Sequence, residues 1–197
     1  FNYSINQDLR DKKFRTEDGF VTTFSQELPI ISDNSEIANS FDITKYKKLS
    51  TRSDVVGKVS FFGKTITGLS DDVRISKRLY IPSYRLRGFE KGKVGPVDNN
   101  DYIGGNHLTS VNMSATLPNI LEGLDNLDVG IFLDAANIWG IDYDSSLDDK
   151  SALRSSAGVA LNLITPIGPL SFSFANAITK ASSDKTETFR FNLGTQF

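Results

Sequence analysis

Few residues in this chain have the types and spacing that chemistry needs. Gly63-Lys64-Thr65 has the ending of a phosphate-binding loop, but that motif requires a glycine five residues before Gly63, where Lys58 stands, with Gly57 one place off. His107 is the only histidine, and no cysteine or carboxylate cluster surrounds it at the spacing of a zinc site. It reads as a polar residue at a strand start. Asp71-Asp72 and Asp148-Asp149 lie among Ser and Gly, where solvated turns explain them and weak cation binding is the alternative. Two features remain. In Tyr84-Arg85-Leu86-Arg87-Gly88-Phe89, Gly88 permits a sharp turn that would aim Arg87 and Phe89 apart from one loop tip, a tip that reads as docked onto something. Asp134 sits in an otherwise apolar segment and needs either a cation, for which Arg87 is a candidate, or water.

The elements that must position these residues read as strands. In the closing segment Phe189, Phe191, Leu193 and Phe197 alternate with Arg190, Asn192, Gly194 and Gln196. The same period of two recurs in GFVTTFSQEL, in NLDVGIFLDA, in SAGVALNLIT and in PLSFSFANAI. VVGKVSFFGKTIT and HLTSVNMSATL have less tidy faces, and NYSINQ and FDITKYKK are weaker still. Turn signals separate these runs at 16–19, 50–54 and 166–169, and the six prolines fall at strand ends or in loops. The pattern predicts an all-β antiparallel meander of about nine strands of roughly eight to twelve residues.

Composition narrows the function classes. Lys+Arg at 22 against Asp+Glu at 24, with no long block of one sign, lacks the footprint of a nucleic-acid binder. The absence of cysteine excludes disulfides, thiolate metal sites and a Cys nucleophile. The start FNYSINQDLRD has neither the basic nor the apolar part of a signal peptide, and without an initiating Met the chain is expected to be a mature or excised piece.

Two architectures compete. A soluble sandwich or solenoid would use strands of about five or six residues. Strands that cross a bilayer need about nine to eleven, with apolar residues outward and polar residues in the lumen. The longer strands favour the barrel, as does the alternation of short turns with longer connections at roughly 68–105 and 138–152. In that register Phe189, Phe191, Leu193, Leu161, Val159, Phe172 and Phe174 face lipid, and Arg190, Asn192, Asn162 and Asp134 face the lumen.

Several motifs then stand in one order. Arg87-Gly88-Phe89, Gly104-Gly105-Asn106, the run from Phe132 to Trp139, the run from Ser156 to Leu161, the turn from Thr165 to Leu170 and the closing run from Phe189 to Phe197 resemble, nearly throughout the chain, the BamA-like outer-membrane assembly factors of the bacterial surface antigen superfamily. The resemblance implies the C-terminal part of a transmembrane β-barrel over 1–197, with the long loop folded into the lumen and the N-terminal strands and POTRA modules absent from the chain. It implies that Arg87 of the loop pairs with Asp134 of the wall. It assigns Phe189, Phe191, Leu193, Gly194 and Phe197 to a C-terminal seam and assembly signal. Two positions depart from the family's pattern: Ser114 stands where a second acidic residue is frequent, and Ala136 where glycine is usual.

The function so implied is insertion of β-barrel proteins into the bacterial outer membrane through a lateral seam, with no catalytic residue, metal or cofactor. The implied partners are outer-membrane lipid, unfolded β-barrel clients and accessory lipoproteins, with no nucleic acid. Related transporters of the TamA-like or two-partner-secretion kind share the loop motif, and a passive porin-like channel is the rival from another class.

Overall fold

A computed structural model describes the chain except residues 14, 30–35, 51–53, 119–125, 143–146, 148–150, 166–167 and 194–197. The strands are β1 (Asn2–Asp8), β2 (Gly19–Glu27), β3 (Glu36–Lys48), β4 (Val56–Gly68), β5 (Val97–Asp98), β6 (Asp101–Tyr102), β7 (His107–Pro118), β8 (Leu127–Trp139), β9 (Arg154–Thr165), β10 (Gly168–Thr179) and β11 (Phe189–Leu193). Nine of them form one sheet in the order β1-β2-β3-β4-β7-β8-β9-β10-β11, each antiparallel to its chain neighbour. This is the expected meander, with β1 and β11 as its edges. The weakly patterned segments at 2–7 and 41–48 join it as β1 and the second half of β3.

The outer face is apolar along a diagonal. The cross-strand row through Ile5 runs Phe24, Phe41, Gly63, Thr109 and Asn137, so it begins apolar and ends polar. The row through Phe189 runs Phe174, Val159, Ile131, Ala115, Gly57 and Lys47, polar at the opposite end. An apolar belt that drifts across hydrogen-bonded rows is what strands tilted about 35–45° to a membrane normal produce, because the belt follows the bilayer and the rows follow the strands. Ile131, Leu133, Val159, Phe174, Phe189, Phe191 and Leu193 are all exposed on it.

The core lies on the other face. Residues 69–106, the long connection between β4 and β7, fold back against the inside of the sheet with one 3-10 turn (Ile75–Lys77) and the two-residue hairpin β5-β6. Val73, Leu79, Ile81, Leu86, Phe89 and Val94 of this loop pack against Ala38, Ile66, Leu108, Ala136 and Ile138 of the wall. The sheet therefore buries its inner face by filling the trough with its own loop.

Candidate functional site: the loop brace

Gly88 sets the tip. Its φ of +86° belongs to the left-handed region, and a Cβ there would stand 3.1 Å from the Cβ of Ala175 and 3.2 Å from that of Ser156. The backbone thus lies directly on β9 and β10, and the Ser156 hydroxyl donates to the Arg87 carbonyl. Phe89, on the far side of the turn, is 1% exposed and sits in the trough core.

Arg87 points to β8. Its Nε donates to Asp134 Oδ2 at 2.7 Å and its Nη2 to Oδ1 at 2.8 Å, a bidentate contact, while its backbone N–H reaches Oδ2 at 3.2 Å. Asn112 Nδ2 donates to Oδ1 at 2.8 Å and also to the Arg85 carbonyl at 2.8 Å. The carboxylate, fully buried, accepts four hydrogen bonds from the loop and from β7. The guanidinium carbon of Arg87 lies 3.4 Å from the centre of the Phe132 ring, so the cation is stacked as well as paired. Asp134 and Phe132 share the inner face because they are two residues apart on one strand.

Further contacts tie the same loop down. Arg85 pairs with Asp42 on β3 and stacks on Phe62 of β4, 4.1 Å from the ring centre. Arg190 of β11 donates to the carbonyl of Ser83 at 2.6 Å and to that of Phe89, and pairs with Glu187. The β10-β11 connection zips onto the loop: Glu90 N donates to Lys185 O at 3.0 Å, Lys185 N to Lys93 O at 3.0 Å, and Glu187 N to Gly88 O at 3.1 Å. Behind this zip, Arg154 holds Asp184 through Nε at 2.9 Å and Nη2 at 3.2 Å, with both side chains buried.

The other landmarks take their places around this brace. Gly104, at φ +70°, and Gly105 pass the chain between loop and wall, and Gly105 exchanges backbone hydrogen bonds with Leu79 at 2.8 and 3.0 Å. Asn106 is buried, and its carbonyl accepts from Ile66 N at 2.8 Å. Ser114 faces inward opposite Lys58, and Ala136 is buried on the inner face with the β7-β8 register unbroken. His107 stands at the start of β7, within hydrogen-bond distance of Thr65 Oγ1 at 2.8 Å and beside the Trp139 ring. Lys64 pairs in register with Ser40 and Leu108, inside a strand rather than at a strand-to-helix turn. Phe189, Phe191 and Leu193 line the outer face of β11, while Gly194, Phe197 and Asp148-Asp149 lie outside the described residues.

Several participants escaped the sequence reading. Asn112, the Arg85–Asp42 pair and the Arg154–Asp184 pair carry no local signal, and Ser156, although it opens one of the landmark runs, carries none for its hydrogen bond to the loop. Phe132 does carry one: it is apolar on the polar side of the alternation, as are Ala136 and Ile138, and inward apolar residues mark the part of a wall against which something packs.

A tilted antiparallel meander, apolar outside and filled inside by its own loop, defines the wall of an outer-membrane β-barrel. The chain belongs to the Omp85 superfamily, whose domain matches residues 1–197. It is similar to the outer membrane protein assembly factor BamA of Neorickettsia risticii, with 24% identity over an alignment 200 residues long that covers 100% of this chain and 27% of that protein. To BamA of Neisseria meningitidis serogroup B it is 30% identical over 141 residues, 57% of this chain and 17% of that protein. The crystal structure of BamA from Haemophilus ducreyi lacking POTRA domains 1–3 superposes with a TM-score of 0.88 at 25% identity, over 96% of this chain and 41% of that one. The chain thus spans about a quarter or less of the curated relatives it matches. Its sheet corresponds to part of such a barrel, a component of the bacterial outer membrane.

Proposed function

We propose that this chain is the C-terminal part of the barrel of a protein that folds and inserts other β-barrel proteins into the outer membrane, without covalent chemistry, through a seam at β11. The observation that carries this reading is the brace: a lumen occupied by a loop held at Arg85, Arg87 and the 184–187 segment suits a rigid platform better than an open pore. β11 fits the seam because, among the described residues, it borders β10 alone, leaving its other edge to accept a strand by main-chain hydrogen bonding. The remaining strands and the POTRA modules belong to the rest of the intact protein. Unfolded barrel clients, outer-membrane lipid and accessory lipoproteins are its partners. Gly194 and Phe197 belong to the same seam and assembly signal, and Phe197 serves as the signal for the protein's own assembly.

The test uses the full-length protein reconstituted in lipid. A disulfide that locks β11 to the first barrel strand should leave the barrel folded and abolish client insertion. Undiminished insertion by a quantitatively locked barrel would show that the seam is not the working part. Large steady ion currents from the unlocked protein would favour a porin instead.

A further inference from the structure

We propose that the β1-β2 connection, through its described residues 9–13 and 15–18, is a strap across the turn-side mouth of the lumen, latched by Arg15 to Asp128, that limits the entry of water-borne solutes from that side. It lies at the end of the barrel opposite the long loop, because β4 ends and β7 begins beside that loop whereas β1 ends and β2 begins here.

The route of the chain follows from the sheet order. Three strands, β3, β4 and β7, stand between β2 and β8. At about 4.8 Å per strand spacing, the way round the wall from β2 to β8 is roughly 19 Å. Yet Arg15 Nη2 donates to Asp128 Oδ1 at 3.1 Å, a contact between residues 113 apart in the chain. Asp128 opens β8 on the same side of the two-residue alternation as Phe132 and Asp134, which is the inner face. A side chain from the β1-β2 connection reaches an inward carboxylate four strands away only by passing across the inside of the trough.

The connection is built to hold that reach. The Asp11 carboxylate accepts the N–H groups of Glu17 and Asp18, both at 3.1 Å, and the Thr16 hydroxyl donates to the Lys12 carbonyl at 2.7 Å. Lys12 pairs with Glu17 at 2.6 Å, and Lys48 at the end of β3 approaches Glu17 at 3.6 Å. Arg15 itself has a φ of +49°, a conformation that bulky residues adopt at an energetic cost and that surrounding contacts must maintain. Its side chain is 36% exposed and that of Asp128 is 15% exposed, so solvent screens the pair and the latch can open.

Asn162 is the Cα partner of Asp128 on β9 and lies on the inner face beside the latch. In full-length protein in nanodiscs, with Asn162→Cys as the only reactive thiol, we expect a bulky water-soluble maleimide to label at least fivefold faster when Arg15→Asp is added. The charge swap Arg15→Asp with Asp128→Arg should return the rate to near the parent value. Equal rates in parent and Arg15→Asp, or a rise that the swap leaves unchanged, would overturn the latch. As an independent check, Arg15→Cys and Asp128→Cys in one folded barrel, verified by heat-modifiable gel migration, should be joined by a short bifunctional thiol reagent. Failure to cross-link in the folded barrel would overturn the strap itself. Neither readout depends on client insertion, so the strap stands or falls separately from the assembly function.

Discussion

Arg87 grips Asp134 through both ends of its guanidinium, Nε at 2.7 Å and Nη2 at 2.8 Å, and the carboxylate so neutralised is shut away from solvent on the inner wall of the barrel. One residue of a long loop thereby fixes the position of the residues that follow it. The Phe132 ring beneath the cation and the Asn112 amide beside the anion complete a site that neither strand nor loop could form alone.

Breaking this pair should be costly and non-additive. Removing one partner of a buried ion pair costs about 3 to 5 kcal/mol, less where water can enter. Arg87→Ala and Asp134→Ala in the full-length protein should each lower the denaturant midpoint, and the double variant should lose clearly less than the sum. Arg87→Lys should rescue little, since lysine cannot form the bidentate contact or the flat stack. Additive losses in the cycle would refute the coupling.

Gly88 and Gly92 both have positive φ, but only Gly88 is crowded: a Cβ at Gly92 meets nothing within 4 Å. Gly88→Ala therefore combines left-handed strain of about 1–2 kcal/mol with a push against Ala175 and Ser156. Limited proteolysis within residues 69–106 should accelerate in Gly88→Ala well beyond Gly92→Ala. Indistinguishable rates would mean that the tip is not seated on the wall.

Asp184 is held by Arg154 and by the N–H groups of Gly95 and Ala181, at 3.3 and 2.6 Å. Arg154→Ala leaves that carboxylate buried without its cation, at a cost of about 3 to 5 kcal/mol before relaxation. Amide exchange should rise first at Glu90, Lys185 and Glu187, whose N–H groups form the zip between the loop and the β10-β11 connection. Exchange rising evenly through β7 and β8 instead would point to general destabilisation.

The two faces of the sheet should report different solvents. A fluorophore at Phe174, which is 48% exposed on the apolar belt, should be quenched by lipid-borne quenchers. One at Asn192, on the opposite face of β11, should respond to aqueous quenchers. The reverse result would place the strands one residue out of register.

Much of this protein is determined locally. A strand turns successive side chains to opposite faces, so the alternation in Leu127–Trp139 by itself assigns Asp134 and Ile131 to different sides, and the same holds for Phe189 and Arg190. Much of the meander follows for a similar reason, since a short turn between two long alternating runs leaves each strand its chain neighbour as partner. What lies across the lumen is another matter. Arg154 and Asp184, Arg85 and Asp42, and Arg15 and Asp128 are 30, 43 and 113 residues apart, and no local period relates them. Their meeting depends on how far the whole sheet curls and on the path the loop takes through it, which are sums over every strand pair rather than properties of any one segment. The sequence could mark Arg87 and Asp134 as residues in need of partners, because unpaired charges are expensive to bury. Only the curled sheet, with its loop folded inward, brings the two side chains to within 3 Å of each other.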